Sequence, residues 1–275
     1  MLRGLNLGLW VAAIAFLLVS GCATAPVDTA QFEITPDEVG VASGVESAAA
    51  PSPSKASVRQ VKPPAKDLAT LRRPITEKEV RKLETKDPDL EFNRCIEILC
   101  RLNRKDKEYI REDMKQKSPL IVPANFSSYK DWSPLPGNIP GAKKFPKLIL
   151  VVKDIHFLGW YQNGSRVGDT YVCIGKMNAW TKGGMYRVQG KDPSHMSTYP
   201  NAYGEAAFMP DALHIYERVW IHTGDVTGPN CSHGCINVPI AYSDKLYDWA
   251  EVGTCVLITE SLKDLGRDIK KSMKQ

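Results

Sequence analysis

The chain has 275 residues, with 36 Lys and Arg against 31 Asp and Glu and a formal net charge of +5 at pH 7. This length can form one sizeable core with appendages. The weak positive charge is spread along the chain, and no basic stripe interleaved with aromatic residues is present, so we expect no nucleic-acid partner.

The first 22 residues have the features of a bacterial export signal, in the usual order. Arg3 gives a positively charged start, and the apolar run at residues 5–19 is short for a membrane-spanning helix. The letters V-S-G-C at residues 19–22 then resemble the lipobox of bacterial lipoproteins. This resemblance implies that a signal peptide, residues 1–21, is removed and that Cys22 is lipidated. An ordinary secretory signal that contains a cysteine is the alternative.

A lipidated Cys22 would hold the chain at a membrane, in the cell envelope, facing the periplasm and cell wall. Ala23 follows Cys22, which in a Gram-negative host resembles a lipoprotein sent to the outer membrane. Residues 22–70 are rich in Ala, Pro and Ser and show no hydrophobic periodicity. We therefore expect a disordered tether that gives the anchored domain reach.

Residues 71–118 have a helical pattern. The letters T-E-K-E at residues 76–79 form a capping box at the start of the first helix. Apolar residues then recur at helical spacing, which predicts helices at about residues 76–86, 90–103 and 105–117. We expect a solvated helical appendage that packs on the main domain, with a partner-docking module as the alternative.

A connector rich in proline and glycine, residues 119–146, leads into a β pattern that runs to about residue 260. Asn163 and Gly164 separate two apolar runs, which is a hairpin-turn signal. The pattern predicts strands at residues 148–152, 156–162, 167–174, 213–216 and 255–259, and a short helix at residues 243–250. Residues 261–275 are expected to form a charged C-terminal tail.

Two neighbouring motifs carry the reactive side chains. His222 ends a strand-like apolar run, and the letters S-H-G-C-I-N follow at residues 232–237, with nine residues between His222 and Ser232. A cysteine attacks carbonyls only as the thiolate, and a nearby imidazole is the usual base that generates it. Glycine before the cysteine allows a tight turn that brings backbone N–H groups close to a developing oxyanion. The pattern predicts Cys235 as nucleophile and His222 as general base.

The hexapeptide at residues 232–237 resembles, at every position, the catalytic signature of the L,D-transpeptidases (the YkuD-type domain). Weaker matches extend the resemblance over about residues 146–260. It implies a mainly β catalytic domain at residues 147–260, a YkuD-like β-sandwich or meander with a short helix, preceded by the small helical segment. The sequence departs from the family pattern in Lys182, which replaces a proline, and in a shorter connection between His222 and Ser232.

The resemblance also suggests supporting roles around the two reactive residues. A backbone carbonyl at Thr223 or Gly224 would steady the His222 ring, and the N–H groups of Gly234 and Cys235 would form the oxyanion hole. The other supporting residues are Ser232 of the motif, His233, which would either line the site or shape its loop, and Asn237, which would tie the loop to the scaffold.

The implied reaction is a two-step acyl transfer that needs neither a metal nor an organic cofactor. Cys235 would attack a peptidoglycan tetrapeptide stem, release its terminal D-Ala and form a thioester, which the side-chain amine of a second stem resolves as a 3→3 crosslink. Water as acceptor would make the enzyme an L,D-carboxypeptidase. A lysine of an envelope protein as acceptor would attach that protein to peptidoglycan, and the sequence does not choose among these acceptors.

The seven cysteines constrain one another. With Cys22 at the lipid and Cys235 in catalysis, five remain, so at least one thiol should be free even in an oxidising compartment. Cys95 and Cys100 are five positions apart and cannot bridge each other on a helix. Cys231 is expected to be an unpaired bystander, with a switchable disulfide to Cys235 as the alternative.

Rival functions fit the motif less well. Cysteine amidases of the NlpC/P60 type place the cysteine before the histidine, and sortases have a different motif around the cysteine. A zinc site would use His222, Cys231, His233 and Cys235, but structural zinc sites usually draw ligands from two separated knuckles. A lipoprotein that only binds the cell wall is the last alternative, and only an assay excludes it.

Overall fold

The computed structural model describes residues 68–177, 180–200 and 204–274. The chain divides into two units, Met1–Val58 and Arg59–Gln275, and all the described residues belong to the second. The predicted signal peptide, the lipidation site Cys22 and nearly all of the predicted tether lie outside the described residues. Within the described ranges, no helix has the length and apolar character needed to span a membrane.

Three helices precede the β domain, as the sequence pattern predicts: α1 (Glu77–Glu84), α2 (Phe92–Asn103) and α3 (Lys107–Lys115). Thr76 caps α1, since its hydroxyl accepts a hydrogen bond from the Glu79 N–H at 3.3 Å. The helices lie between two strands, β1 (Thr70–Arg73) and β2 (Leu120–Pro123), which pair antiparallel. The sequence analysis missed both strands, because four residues are too few to show a period of two.

Helix α2 is the centre of this segment. Its apolar side chains recur every three or four positions, and seven of its 12 residues are buried: Phe92, Cys95, Ile96, Ile98, Leu99, Cys100 and Leu102. Burying a large apolar side chain stabilises a fold by about 1.5–3 kcal/mol. The buried apolar side chains of the three helices share a core cluster with Leu148 and Leu150 of the β domain, while most residues of α1 and α3 stay outside the core. This arrangement agrees with the predicted solvated helical segment that packs on the main domain.

A five-stranded sheet lies beneath the helices. Its strand order is β5 (Ser165–Tyr171), β4 (Phe157–Gln162), β3 (Lys147–Val152), β13 (Cys255–Thr259) and β7 (Gly184–Arg187). Strands β3 and β13 run parallel, and the other neighbours are antiparallel. The predicted hairpin turn joins β4 to β5, with φ of 50° at Asn163 and 81° at Gly164, the positive angles that a two-residue turn requires.

A second sheet carries the residues of the two motifs. Its strand order is β12 (Ile236–Val238), β10 (Val219–Thr223), β9 (Ala206–Tyr216) and β8 (Gly190–Pro200). Strand β10 is parallel to β12 and antiparallel to β9. Two short strands, β6 (Ile174–Gly175) and β11 (Asn230–Ser232), pair beside it, and helix α4 (Ile240–Trp249) follows β12.

The alternating side chains of β3 show how the layers stack. Leu148, Leu150 and Val152 belong to one core cluster with the buried residues of the helices. Ile149 and Val151 belong to a second core cluster with the inner face of the second sheet. Because successive side chains of a strand point to opposite faces, the five-stranded sheet lies between the helical layer and the second sheet. The domain is mainly β with a few helices, as predicted.

The last residues form a helix rather than the predicted charged tail. Helix α5 (Leu265–Ser272) carries Lys and Arg on its outer side, but Leu265 and Ile269 are buried in the core cluster that includes the helical segment. The sequence analysis read residues 261–275 by their high charge and did not use Leu265 and Ile269, which are four residues apart, the spacing of one helix face.

Candidate active site

His222 is held in one tautomer by its own backbone. It lies near the end of β10, its side chain is buried, and its Nδ1 lies 2.7 Å from the Thr223 carbonyl oxygen. A carbonyl only accepts hydrogen bonds, so Nδ1 carries the proton and Nε2 keeps a lone pair. Burial lowers the pKa of His222 below its usual 6.5; the Thr223 carbonyl opposes this shift and the nearby His195 adds to it. The resting imidazole is therefore neutral and able to accept a proton.

The pairing of β10 with β12 brings Cys235 to the same face of the sheet as His222. Ile221 is opposite Ile236 in this parallel pair, and both are buried in the core between the sheets. Side chains alternate along a strand, so His222 points away from that core, as does Cys235, which directly precedes Ile236. Both residues line one cavity of about 910 Å³. The structure thus brings together the two residues that the sequence analysis chose as base and nucleophile.

The Cys235 thiol is protonated at rest. Its Sγ lies 3.7 Å from the Arg218 carbonyl oxygen, to which the thiol donates. Burial raises the pKa of Cys235 above the ordinary value of 9.0. Because the pKa of the cysteine is raised and that of His222 is lowered, the pair is a neutral thiol and a neutral imidazole. A thiol in this state needs a base to take its proton before the sulfur can attack a carbonyl.

The turn before Cys235 is fixed by hydroxyl groups. Ser232 Oγ donates to the Cys235 carbonyl at 2.6 Å and accepts from the Gly234 N–H at 3.1 Å. Gly234 has a φ of 129°, a conformation that side chains disfavour. The Gly234 N–H is occupied by Ser232, so the prediction that it serves the oxyanion hole conflicts with the structure. The Cys235 N–H is left as the predicted donor.

Thr181 supports this turn from below, and the sequence analysis gave it no role. It is fully buried, its hydroxyl donates to the Gly234 carbonyl at 2.8 Å, and it accepts from the Gly175 N–H at 3.0 Å. One hydroxyl therefore ties strand β6 to the residue before the nucleophile. Residues 181–188 resemble a weaker part of the family pattern, but that resemblance does not show the role of Thr181, because its two partners are backbone groups that only the fold brings near.

A second network holds the Thr223 carbonyl in place behind His222. Thr223 Oγ1 donates to Asp211 Oδ2 at 2.8 Å and lies 2.6 Å from Ser243 Oγ. These contacts join β10 to β9 and α4. Since the Thr223 carbonyl orients the imidazole, the network fixes the direction of His222 Nε2.

Asn237 ties the loop that follows β10 to β12. Its side-chain amide donates to the Asp225 carbonyl at 3.0 Å. A side chain at Gly224 would place its first carbon 3.0 Å from the Asn237 amide, so this close approach requires glycine.

Aromatic rings form one wall of the cavity. His233 stacks between Trp180, at 5.9 Å between ring centroids, and Tyr199, at 5.3 Å. Trp180, Tyr199 and Phe208 are all exposed to solvent and line the cavity. His233 thus lines the cavity, which is one of the two roles that the sequence analysis considered for it. The sequence analysis did not foresee the wall, because its members come from three separate segments.

A disulfide joins Cys173 to Cys231. Cys231 is therefore neither an unpaired bystander nor the partner of Cys235, and both sequence-based expectations for it are wrong. Cys231 is also unavailable as a zinc thiolate, and among the described residues no group of three His, Cys, Asp or Glu is placed to hold a metal ion. Cys95 and Cys100 are free and buried, and Cys235 and Cys255 are free too, which confirms that at least one thiol remains unpaired.

Comparison with known proteins finds a family model similar to the second half of the chain. Residues 146–258 match the model of the YkuD family, the L,D-transpeptidase catalytic domain. The match lies within the stretch, about residues 146–260, over which the sequence resembles the L,D-transpeptidases. No curated protein sequence matches the chain.

Solved structures of L,D-transpeptidases are similar to this chain. One from Mycobacterium smegmatis is 19% identical, with a TM-score of 0.38 over 42% of this chain and 58% of that one. One from Stackebrandtia nassauensis is 24% identical, with a TM-score of 0.38 over 43% and 57%. A mutant from Enterococcus faecium is 24% identical, with a TM-score of 0.38 over 42% and 50%. The chain thus spans between half and three fifths of the length of these relatives.

Proposed function

We propose that this chain is an L,D-transpeptidase that crosslinks peptidoglycan stem peptides through a thioester on Cys235. One observation carries the proposal: His222 is fixed with Nε2 as a proton acceptor, on the same face of the second sheet as Cys235 and in the same cavity. The catalytic-domain match at residues 146–258 supports the same conclusion.

The first half-reaction forms the thioester. The Cys235 thiol gives its proton to His222 Nε2, and the sulfur attacks the carbonyl of the diamino acid that precedes the terminal D-Ala of the donor stem. The Cys235 N–H would donate to the oxyanion that develops on that carbonyl. When the tetrahedral intermediate collapses, the C–N bond breaks, the D-Ala nitrogen takes the proton from His222, and D-Ala leaves.

The second half-reaction reverses these roles. The side-chain amine of a second stem attacks the thioester carbonyl while His222 accepts the amine proton. The C–S bond then breaks, a 3→3 peptide crosslink forms, and the proton returns to the Cys235 sulfur. One peptide bond is exchanged for another, so no ATP is needed.

We further propose that the chain acts in the cell envelope, held to a membrane through lipidated Cys22 and facing the cell wall. The V-S-G-C letters at residues 19–22 support this placement. Mass spectrometry of the protein isolated from membranes tests it: a diacylglyceryl-modified N-terminal Cys22 is expected. An unmodified chain that begins after Cys22 would contradict it.

Detergent-solubilised full-length protein with disaccharide-tetrapeptide muropeptides tests the activity, with the Cys235→Ala variant as control and mass spectrometry as readout. Crosslinked dimers from the wild type alone are the expected result. Tripeptide without dimers, dependent on Cys235, would indicate an L,D-carboxypeptidase or an enzyme whose acceptor is an envelope protein. The absence of any Cys235-dependent product would overturn the proposal and favour a lipoprotein that only binds the wall.

A further inference from the structure

The chain between the two reactive residues is held by a segment outside the catalytic domain. We call residues 224–229, which connect β10 to β11, the catalytic loop, because they join the strand of His222 to the strand that leads to Cys235. The loop is short, and its Val226 is fully buried in the core cluster that contains helices α2 and α3. Helix α3 begins beside it.

Asp106, the residue before α3, makes a reciprocal pair of hydrogen bonds with Val226. The Asp106 N–H donates to the Val226 carbonyl at 2.9 Å. The Val226 N–H donates back to Asp106 Oδ2 at 2.7 Å. The second oxygen, Oδ1, accepts from the Tyr171 hydroxyl at 3.1 Å. Both carboxylate oxygens of Asp106 are thus used by groups outside its own helix.

This use of Asp106 is unusual for its position. Asp106 is the N-cap of α3, where an aspartate normally accepts a hydrogen bond from the second or third N–H of the helix. Here the side chain makes no capping hydrogen bond. The carboxylate gives up the capping hydrogen bond that would stabilise α3 and binds the catalytic loop instead. Burial raises the pKa of Asp106 to about 6, so at neutral pH it is ionised and accepts from both donors.

A second contact from α3 reaches the neighbouring loop residue. The Tyr109 hydroxyl donates to Asp225 Oδ2 at 3.1 Å. The Asp225 carbonyl in turn accepts from the Asn237 side chain at 3.0 Å. Asn237 lies two residues after Cys235 and opposite His222 in the β10–β12 pair. A continuous series of hydrogen bonds therefore connects the helical segment to the β10–β12 strand pair, in which β10 carries His222 and β12 begins directly after Cys235.

We propose that Asp106, assisted by Tyr109, positions the catalytic loop, so that the helical segment is a working part of the active site. Asp106 touches neither substrate nor the reacting atoms; it is a positioning residue that acts through Val226 and Asp225. The proposal rests on the proposed transpeptidase function for its kinetic consequences, but the loop contact itself can be measured without any substrate.

The Asp106→Ser variant separates positioning from stability. Serine is a good N-cap for α3, but its side chain is too short to reach the Val226 N–H. The Asp106→Asn variant is the conservative rescue, because its amide oxygen can still accept from Val226. Asp113→Asn is the matched control: Asp113 also belongs to the α3 segment, and its carboxylate pairs with Lys105 at 2.6 Å, not with the loop.

Two readouts are needed on the full-length protein. Hydrogen–deuterium exchange of the peptide covering residues 223–231 reports the loop directly. Steady-state kinetics with muropeptides report its effect. For Asp106→Ser we expect about ten-fold faster exchange in that peptide and a kcat lowered about ten-fold, with KM within two-fold and Tm within a few degrees of wild type. Asp106→Asn and Asp113→Asn should stay close to wild type in both readouts.

The proposal is overturned if Asp106→Ser leaves exchange at residues 223–231 unchanged. It is also overturned if exchange rises while kcat stays at the wild-type value, or if Asp106→Asn loses as much as Asp106→Ser. Should Asp106→Ser fail to fold, Tyr109→Phe carries the same comparison with smaller expected effects in the same direction, and wild-type values in both readouts would refute the proposal. If the wild type shows no transpeptidase activity, the proposed function fails, while the exchange data still decide the positioning claim.

Discussion

Replacement of Thr181 by valine tests how the turn before the nucleophile is built. Valine has nearly the shape of threonine, so the change removes the hydroxyl and leaves the fully buried site filled. The Gly175 N–H and the Gly234 carbonyl then lose their partner at 3.0 and 2.8 Å. Each unsatisfied buried group costs about 1–3 kcal/mol. Because two groups lose their partner, we expect the free energy of unfolding to fall by roughly 2–6 kcal/mol.

The matched control is Thr181→Ser, which keeps the hydroxyl and removes one methyl group. Loss of a buried methyl group costs about 1 kcal/mol, so the serine variant should be the more stable of the two. Urea unfolding followed by circular dichroism measures both. Crosslinking activity should fall more for valine than for serine, because the Gly234 carbonyl anchors the turn that presents Cys235. A valine variant as stable and active as the serine variant would refute this account of the turn.

Two further predictions concern the cysteines. Reduction of the Cys173–Cys231 disulfide opens a loop with a sequence separation of 58 and should destabilise the fold by about 2–5 kcal/mol. Dithiothreitol should therefore lower the Tm of the wild type but not that of the Cys173→Ala/Cys231→Ala variant. An unchanged wild-type Tm would contradict the disulfide. The raised pKa of Cys235 means less thiolate at neutral pH than in a free cysteine, so its alkylation by iodoacetamide should keep rising with pH beyond 9.0. A reactivity plateau between pH 6 and 8, measured on the Cys235 peptide by mass spectrometry, would instead indicate a thiolate–imidazolium pair.

The reactive residues could be predicted from sequence because their chemistry is local. The pattern of a strand ending at His222 followed by S-H-G-C-I-N at residues 232–237 sets residue types and spacing within one short stretch. The hydrogen bond of the imidazole to a backbone carbonyl at Thr223 or Gly224 was expected from the family resemblance alone. The structure selects Thr223. Strands and helices with clear periods, such as β3, β4 and α2, were predicted for the same reason.

The parts that sequence could not supply depend on contacts between distant segments. The Cys173–Cys231 disulfide forms because β6 pairs with β11, a pairing that no local pattern shows. The Gly234 N–H looked available from its place beside the nucleophile, but the Ser232 hydroxyl two residues earlier takes it. The apolar spacing places the start of the third helix at about residue 105, close to Asp106, but it does not show that the Asp106 side chain accepts from a residue 120 positions away. Local patterns thus located the longer strands and helices, and only the fold showed which distant groups their side chains contact.

The short connection after His222 and the helical segment are joined by these contacts. The connection between His222 and Ser232 has only nine residues and is shorter than the family pattern, and a helical segment precedes the domain in this chain. The short loop between β10 and β11 has few residues of its own that could form packing contacts. Its buried Val226 instead belongs to the core cluster formed by α2, α3 and the five-stranded sheet. The helical segment therefore supplies the support that a longer loop would otherwise build from its own residues. On this argument, a chain cut back to residues 146–258 would keep both reactive side chains and lose the structure that holds them at working distance.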